Sequence, residues 1–396
     1  MAKTLETVVL DGDRFLRIRE QIQAGEDDSL KQALEHLRRQ ADDWLPQGPW
    51  SVMDKSKPSP SGDLHDYTSQ APYWWPSPSA DGSPYVRRDG ERNPEVLDFP
   101  DRVNVEKVFR SSVALGLAWF YTGGEAYGAR AADVIRTWFL APERRMNPNL
   151  NHAQLIPFAN TGRHIGIIDF AQAYTTVLDV VVLLESGSGS GGPAPGWTVA
   201  DGEAFRAWNR EFLTWLTQSD FGRAERAEKN NHGVFASMLI AAIALFLGDE
   251  QAARHEVLKV QRGIDEAVEP DGAMPHELGR TRSWHYTTFT LTALTRLAMM
   301  APRVGVDLWN YEGPRGQGIL RAVEFVLPAA TGAEGWGFPE LEMRRFAAAD
   351  VVRAAADAGH EGAGRAVDGG EVELPEGDLW PLRPAPEQLR PVGAKG

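Results

Sequence analysis

The sequence predicts an all-α fold in which antiparallel helical hairpins curl into an α/α toroid or incomplete barrel, and three observations carry that expectation. Apolar residues recur at three- and four-residue steps along most of the chain, hardly any stretch alternates with the period of a strand, and the breaks between periodic stretches are short. Thr122-Gly123-Gly124 and Leu247-Gly248-Asp249 are two such breaks. Their length and composition return a helix antiparallel to the one before it.

The bulk properties agree. The 396 residues are 42% hydrophobic and lack cysteine, enough for one large core or two modest ones and not for a disulfide-stapled mini-domain. The 39 glycines and 26 prolines are not far above average usage, so the chain is neither collagen-like nor broadly disordered. Its longest nearly apolar run, Gly233 to Gly248, is sixteen residues, short of the roughly 18 to 20 that cross a bilayer. That run reads as a buried helix. A net charge of −14 argues against nucleic acid or an anionic membrane as partner, so an anionic ligand must find a local basic pocket. No apolar segment follows Met1-Ala-Lys-Thr, so no signal peptide is visible. The expectation is a cytoplasmic protein, or a secreted or periplasmic one whose leader has been removed, and the absence of cysteine fits either.

Taken in order, Leu30, Ala33, Leu34, Leu37, Ala41, Trp44 and Leu45 mark an amphipathic stripe, so the first forty-five residues are read as helical. Residues 46–100 break the pattern: prolines and glycines punctuate Tyr67, Tyr73, Trp74, Trp75 and Tyr85, which suits a long ordered loop or lid. Helices are then expected near 103–121, 125–140, 164–185, 201–218, 231–247, 250–268, 280–300, 316–327 and 339–358. Between two of them lies a flexible Gly/Ser loop, 186–195, and the chain ends in an irregular arm, 359–396. The whole, 1–396, is read as a single domain.

Four clusters could carry chemistry. Asn230-Asn231-His232-Gly233 opens the most apolar helix, where exposed N–H groups and the helix dipole favour an anion and a neutral, proton-accepting imidazole. The same residues also fit a plain helix cap. Glu277, Arg280, Arg282, His285 and Tyr286 open a later helix. If that helix starts by Thr281, Arg282 and Tyr286 share a face, and a guanidinium beside a phenol raises its phenolate fraction near neutrality. An ordinary surface stack of Arg on Tyr fits equally. Gln154 and Asn160-Thr161-Gly162-Arg163-His164 precede the third helix start, where either a ligand or a cap with an Arg163–Asp169 ion pair is expected. Last, Tyr73-Trp74-Trp75-Pro76 with Arg87 and Arg88 joins aromatic faces to guanidinium forks, a platform for sugar rings bearing carboxylates or an anchor for the loop. No zinc-binding pattern, phosphate loop or serine elbow occurs, and no metal or cofactor is expected.

Together, Tyr73-Trp74-Trp75-Pro76, Asn160-Thr161-Gly162-Arg163, Asn230-Asn231-His232-Gly233 and Glu277, Arg280, Tyr286, in this order over roughly residues 45–300, resemble the alginate lyase superfamily of polysaccharide lyases. The resemblance implies an α/α toroid with a groove across one end and β-elimination of a uronic-acid polymer such as alginate, polymannuronate or glucuronan. It implies that Asn231, His232 and Arg280 neutralise the uronate carboxylate and that Tyr286 is the acid/base. Gln154, Arg163, His164, Tyr73, Trp74, Arg87, Arg88, Asn230, Arg282 and His285 would line the subsites. One tyrosine can serve both proton transfers when C5–H and O4 lie on one face of the ring, and His232 is the candidate second group when they do not. Arg87, Arg88, Arg92, Arg163, Arg223, Arg226, Lys229, Arg280 and Arg282 fall in or beside these motifs, which predicts a basic groove on an acidic body and salt-sensitive binding of an anionic polysaccharide. Two rivals are a glycoside hydrolase using Glu277 with Asp271 or Asp169, and a non-catalytic polyuronate-binding protein.

Overall fold

A computed structural model describes residues 5–25, 27–79, 81–187 and 192–387, and the chain divides into two compact units, Met1–Glu225 and Arg226–Gly396. In the first, α1 (Gly12–Ala24) and α2 (Asp28–Trp44) are started by Asp11 and Asp27, whose carboxylates accept N–H groups of the first turns. The helical stretch expected over the first forty-five residues is therefore two helices, parted at Gly25 with φ +71°. Pro100 opens α3 (Pro100–Thr122), and Gly123, at φ +70°, ends it in the left-handed conformation. Helix α4 (Glu125–Phe139) returns as the predicted hairpin partner.

The region between α2 and α3 is not a featureless loop. Strand β1 (Thr68–Gln70) pairs in parallel with β4 (His152–Leu155), and β2 (Trp74–Trp75) pairs antiparallel with β3 (Val86–Arg87). Strands of two to four residues leave no alternation to read. The helix expected over 164–185 is also broken: a 3-10 turn (His164–Ile167) and α5 (Ile168–Ala171) stand at 42° to α6 (Tyr174–Ser186). Asp169 explains the break, since Arg102, Tyr67, Ser69 and Gln154 all hold its carboxylate and fix α5 independently of α6. Helix α7 (Val199–Gln218), begun by a Thr198–Asp201 capping box, and α8 (Asp220–Ala227) follow. Phe109, Phe139, Phe170, Tyr174, Trp208 and Phe212 interlock in the core of this unit, with Phe139 and Trp208 4.8 Å apart edge to face. Each such ring contributes about 1.5–3 kcal/mol by burial.

In the second unit, α9 (Asn231–Phe246) is buried on all sides, as its composition requires, and α10 (Glu250–Ala267) returns along it after Gly248 at φ +79°. The short α11 (Pro275–Leu278) leads to α12 (Ser283–Met300), which packs on α9 through a Phe235–Phe289 stack 4.0 Å apart. Then come α13 (Ile319–Thr331), α14 (Ala349–Asp357) and α15 (Glu361–Asp368). Residues 339–344, expected as helix, instead fold onto the start of α12: the Pro339 carbonyl accepts the Ser283 N–H at 2.9 Å, and Glu340 accepts the His285 N–H at 3.0 Å. Proline and these caps outweigh the helical periodicity. The terminal arm is likewise not wholly irregular, because α15 lies within it; 388–396, and 188–191 of the Gly/Ser loop, lie outside the described residues. No single described helix is long and apolar enough to cross a membrane.

Candidate active site

In the first unit, the β2–β3 ladder sets Trp74 opposite Arg87, and the Tyr73 carbonyl accepts the Arg88 N–H at 2.8 Å. Arg88 lies 4.9 Å from the Trp75 ring and Arg163 5.7 Å from that of Trp74, so the two tryptophans each carry a guanidinium. Burial, and then the like charge of Arg87, lower the pKa of Arg163, a site that an incoming carboxylate would relieve. His164, next in sequence, is held through Nδ1 by the fully buried Glu225 at 2.9 Å. The ion pair expected between Arg163 and Asp169 is replaced by Arg102–Asp169. Asn160 is exposed and caps nothing, while Thr161 donates to the Asn151 carbonyl. Gln154, expected to line a subsite, is 5% exposed and donates to Asp169 at 3.1 Å, so it braces the fold. Nothing in the sequence singles out Glu225, whose helix reads as a run of solvated charges.

In the second unit, Asn230 is the N-cap of α9, its Oδ1 accepting the His232 N–H at 2.9 Å. Asn231 is buried and tied to Glu277: its N–H reaches Oε1 at 2.8 Å and its Nδ2 reaches Oε2 at 3.0 Å. Burial raises the pKa of Glu277, and the two Asn231 bonds and the charge of Arg280 restrain that rise. His232 is half-buried on the first turn. Gly233 is required there, because a Cβ would lie 2.0 Å from the Glu228 carbonyl oxygen. The local sequence thus folds a carbonyl tightly under the turn that presents Asn231 and His232.

The Arg280 guanidinium lies 3.8 Å from the centroid of the Tyr286 ring. Arg282 does not share a helical face with Tyr286, since α12 begins at Ser283 and Arg282 is its N-cap, accepting the Tyr286 N–H through its carbonyl at 3.0 Å. His285 stands edge-on to Tyr286 with ring centroids 5.1 Å apart and stacks on Phe289. His232 and Tyr286 each sit three residues before a ring of the Phe235–Phe289 stack, one turn along their helices. Several of the cations expected to make a basic groove are already paired: Arg87, Arg88, Arg223, Arg226 and Lys229 meet Asp89, Glu91, Asp220, Glu256 and Glu266. Among the described residues no cluster of three or more metal-ligating side chains forms.

The sequence profile described as alginate lyase matches residues 51–336, well over half of the chain. The chain belongs to the alginate lyase family. This family member is similar to an alginate lyase from Bacteroides ovatus, 29% identical with a TM-score of 0.88 over 96% of this chain and 99% of that one. Alginate lyase A1-III from Sphingomonas species A1 is 17% identical, with a TM-score of 0.58 over 98% and 97% of the two chains. A variant of alginate lyase A1-III complexed with tetrasaccharide gives 16% identity and a TM-score of 0.52 over 84% and 79%. No curated protein matches in sequence. The lyase therefore has the all-α fold, of the α/α-toroid class, that its hairpin turns predict, and it is a polysaccharide lyase. In this lyase the carboxylates named for the hydrolase rival are already engaged: four donors hold Asp169, Asn231 gives two hydrogen bonds to Glu277, and Asp271 accepts a turn N–H from Ala273.

Proposed function

We propose that this polysaccharide lyase cleaves a uronic-acid polymer, alginate in its mannuronate form or glucuronan, by β-elimination with Tyr286 as acid and base. The observation that carries the reading is the Arg280 guanidinium 3.8 Å over the Tyr286 ring, in the unit where Glu277 also holds Asn231. Elimination requires that the C5–H bond break while the C5 carboxylate takes up negative charge as an enolate. The electron pair then forms the C4–C5 double bond as the C4–O4 bond breaks. Cations and N–H donors ready around the carboxylate lower the first barrier, which is the role read for Asn231, His232 and Arg280. Tyr286, as phenolate, takes the C5 proton and returns it to O4. Within the first unit, Trp74 and Arg163, with Arg87 and Arg88, suit sugar rings and their carboxylates. A relative complexed with tetrasaccharide is in keeping with such subsites.

The test is a panel of mannuronan, guluronan and glucuronan, followed by the ultraviolet absorbance of the unsaturated product. Wild type should generate absorbance without consuming water, and Tyr286→Phe should lower kcat by at least about 10³-fold while leaving oligosaccharide binding intact. Near-full turnover in Tyr286→Phe would overturn the mechanism, and a saturated product would overturn the reaction class.

A further inference from the structure

Asn231 turns both of its nitrogen donors to one carboxylate. Its backbone N–H and its Nδ2 reach the two oxygens of Glu277 at 2.8 and 3.0 Å, with both residues almost wholly buried. Both Glu277 oxygens accept, so it is the NH2 end of the amide that faces the carboxyl group. If the amide flipped, Oδ1 would be pressed against Glu277 Oε2, acceptor against acceptor and out of reach of water. The backbone of the same residue acts in a second direction: the Glu277 carbonyl accepts the Arg280 N–H at 3.1 Å, closing the turn that lays the guanidinium over Tyr286.

We infer that Glu277 is a positioning residue that fixes which end of the Asn231 amide is the donor and where its second N–H points, and that it registers this donor with the Arg280 turn. This rests on the reading of Asn231 as a group that neutralises the uronate carboxylate. A donor must sit where charge develops, and an amide free to flip moves its N–H by the width of the group. Glu277 touches no substrate in this account. It acts through Asn231, which separates it from the acid/base role that a hydrolase would give it.

The experiment is a double-mutant cycle of Glu277→Gln and Asn231→Ala. It is read by kcat and KM on polymannuronate and glucuronan, by calorimetric affinity for a mannuronate tetrasaccharide, and by thermal midpoint. Glutamine keeps the size of Glu277 but can face the amide with either end, so Glu277→Gln should lower kcat/KM roughly 10- to 100-fold, mostly in kcat. In the Asn231→Ala background it should have no further effect on rate, because the group it acts through is gone. A merely structural role would instead multiply the two losses, and that outcome, or unchanged turnover in Glu277→Gln, overturns the inference. Should Glu277→Gln fail to fold, Glu277→Asp, which keeps an acceptor-only partner, is expected to retain more turnover than Asn231→Ala; equal loss overturns it. If wild type turns over neither polymer, the lyase reading fails on its own. The clamp is then judged on tetrasaccharide affinity, where non-additivity sustains it and additivity or absence of binding overturns it.

Discussion

Replacing Gly233 by alanine sets two effects of opposite sign against each other. Gly233 is the third residue of α9, and at an ordinary helical position a Gly→Ala change stabilises by about 0.5–1 kcal/mol. Here the added Cβ would lie 2.0 Å from the Glu228 oxygen and 3.0 Å from its carbonyl carbon. The obstacle is backbone, with no rotamer to swing away, and nonbonded carbon and oxygen need at least about 3 Å, so the turn must shift by about 1 Å. Overpacking of that kind costs about 1–3 kcal/mol, which exceeds the helical gain. The displaced turn carries Asn230, Asn231 and His232, and a misplacement of about 1 Å is worth on the order of 10²-fold in rate. The expected outcome is a thermal midpoint lower by a few degrees and a kcat/KM on polymannuronate lower by about 100-fold. Gly263, in the exposed face of α10 with open space where its Cβ would go, is the control. Gly263→Ala should raise stability by about 0.5–1 kcal/mol and leave the rate alone. A Gly233→Ala protein that behaves like the control, stabler and fully active, would refute the reasoning.

Arg280→Gln removes a charge 3.8 Å from the centroid of the Tyr286 ring, worth at most about 4 kcal/mol at an effective dielectric of about 20, so kcat should fall about 10- to 100-fold. Arg280→Lys should recover only part, since an ammonium cannot stack as a plane, and single-turnover rates on polymannuronate decide the matter. Trp74→Ala takes the aromatic face from beneath Arg163; KM should rise about 3- to 30-fold with kcat little changed, measured as steady-state kinetics on the same polymer. Asp201→Asn tests the start of α7. Burial pushes the Asp201 carboxyl up, but hydrogen bonds from Arg136 and Thr198 outweigh it and hold its pKa below the ordinary value. Its contribution is therefore complete above the unfolded value near 4 and lost as pH falls through the lower folded one. Urea melts should show Asp201→Asn less stable by about 1–2 kcal/mol at pH 7 and level with wild type at the acid limit.

By itself the sequence determined where most of the helices and the hairpin turns lie, because helical period, Asp and Asn caps and glycines beyond helix ends act over a few residues. Thr122-Gly123-Gly124 closes as a left-handed cap, and Asn230 caps α9. It also named the residues the family motifs supply, since those motifs are local strings. What it could not decide is which groups meet across the chain. Arg280 rather than Arg282 lies over Tyr286, because α12 starts three residues later than the expected 280–300 helix, once the 339–344 segment has capped it. Gln154 was drawn away by Asp169, and Asp169 by Arg102, partners 15 and 67 residues distant in sequence. Glu225 looks like its many acidic neighbours until burial removes water and leaves His164 as its hydrogen-bond partner, and Glu277, although the motif marks it, meets Asn231 only through packing. A carboxylate written in a sequence has water as its default partner; only packing takes that water away, and so only the tertiary structure chooses which donor replaces it.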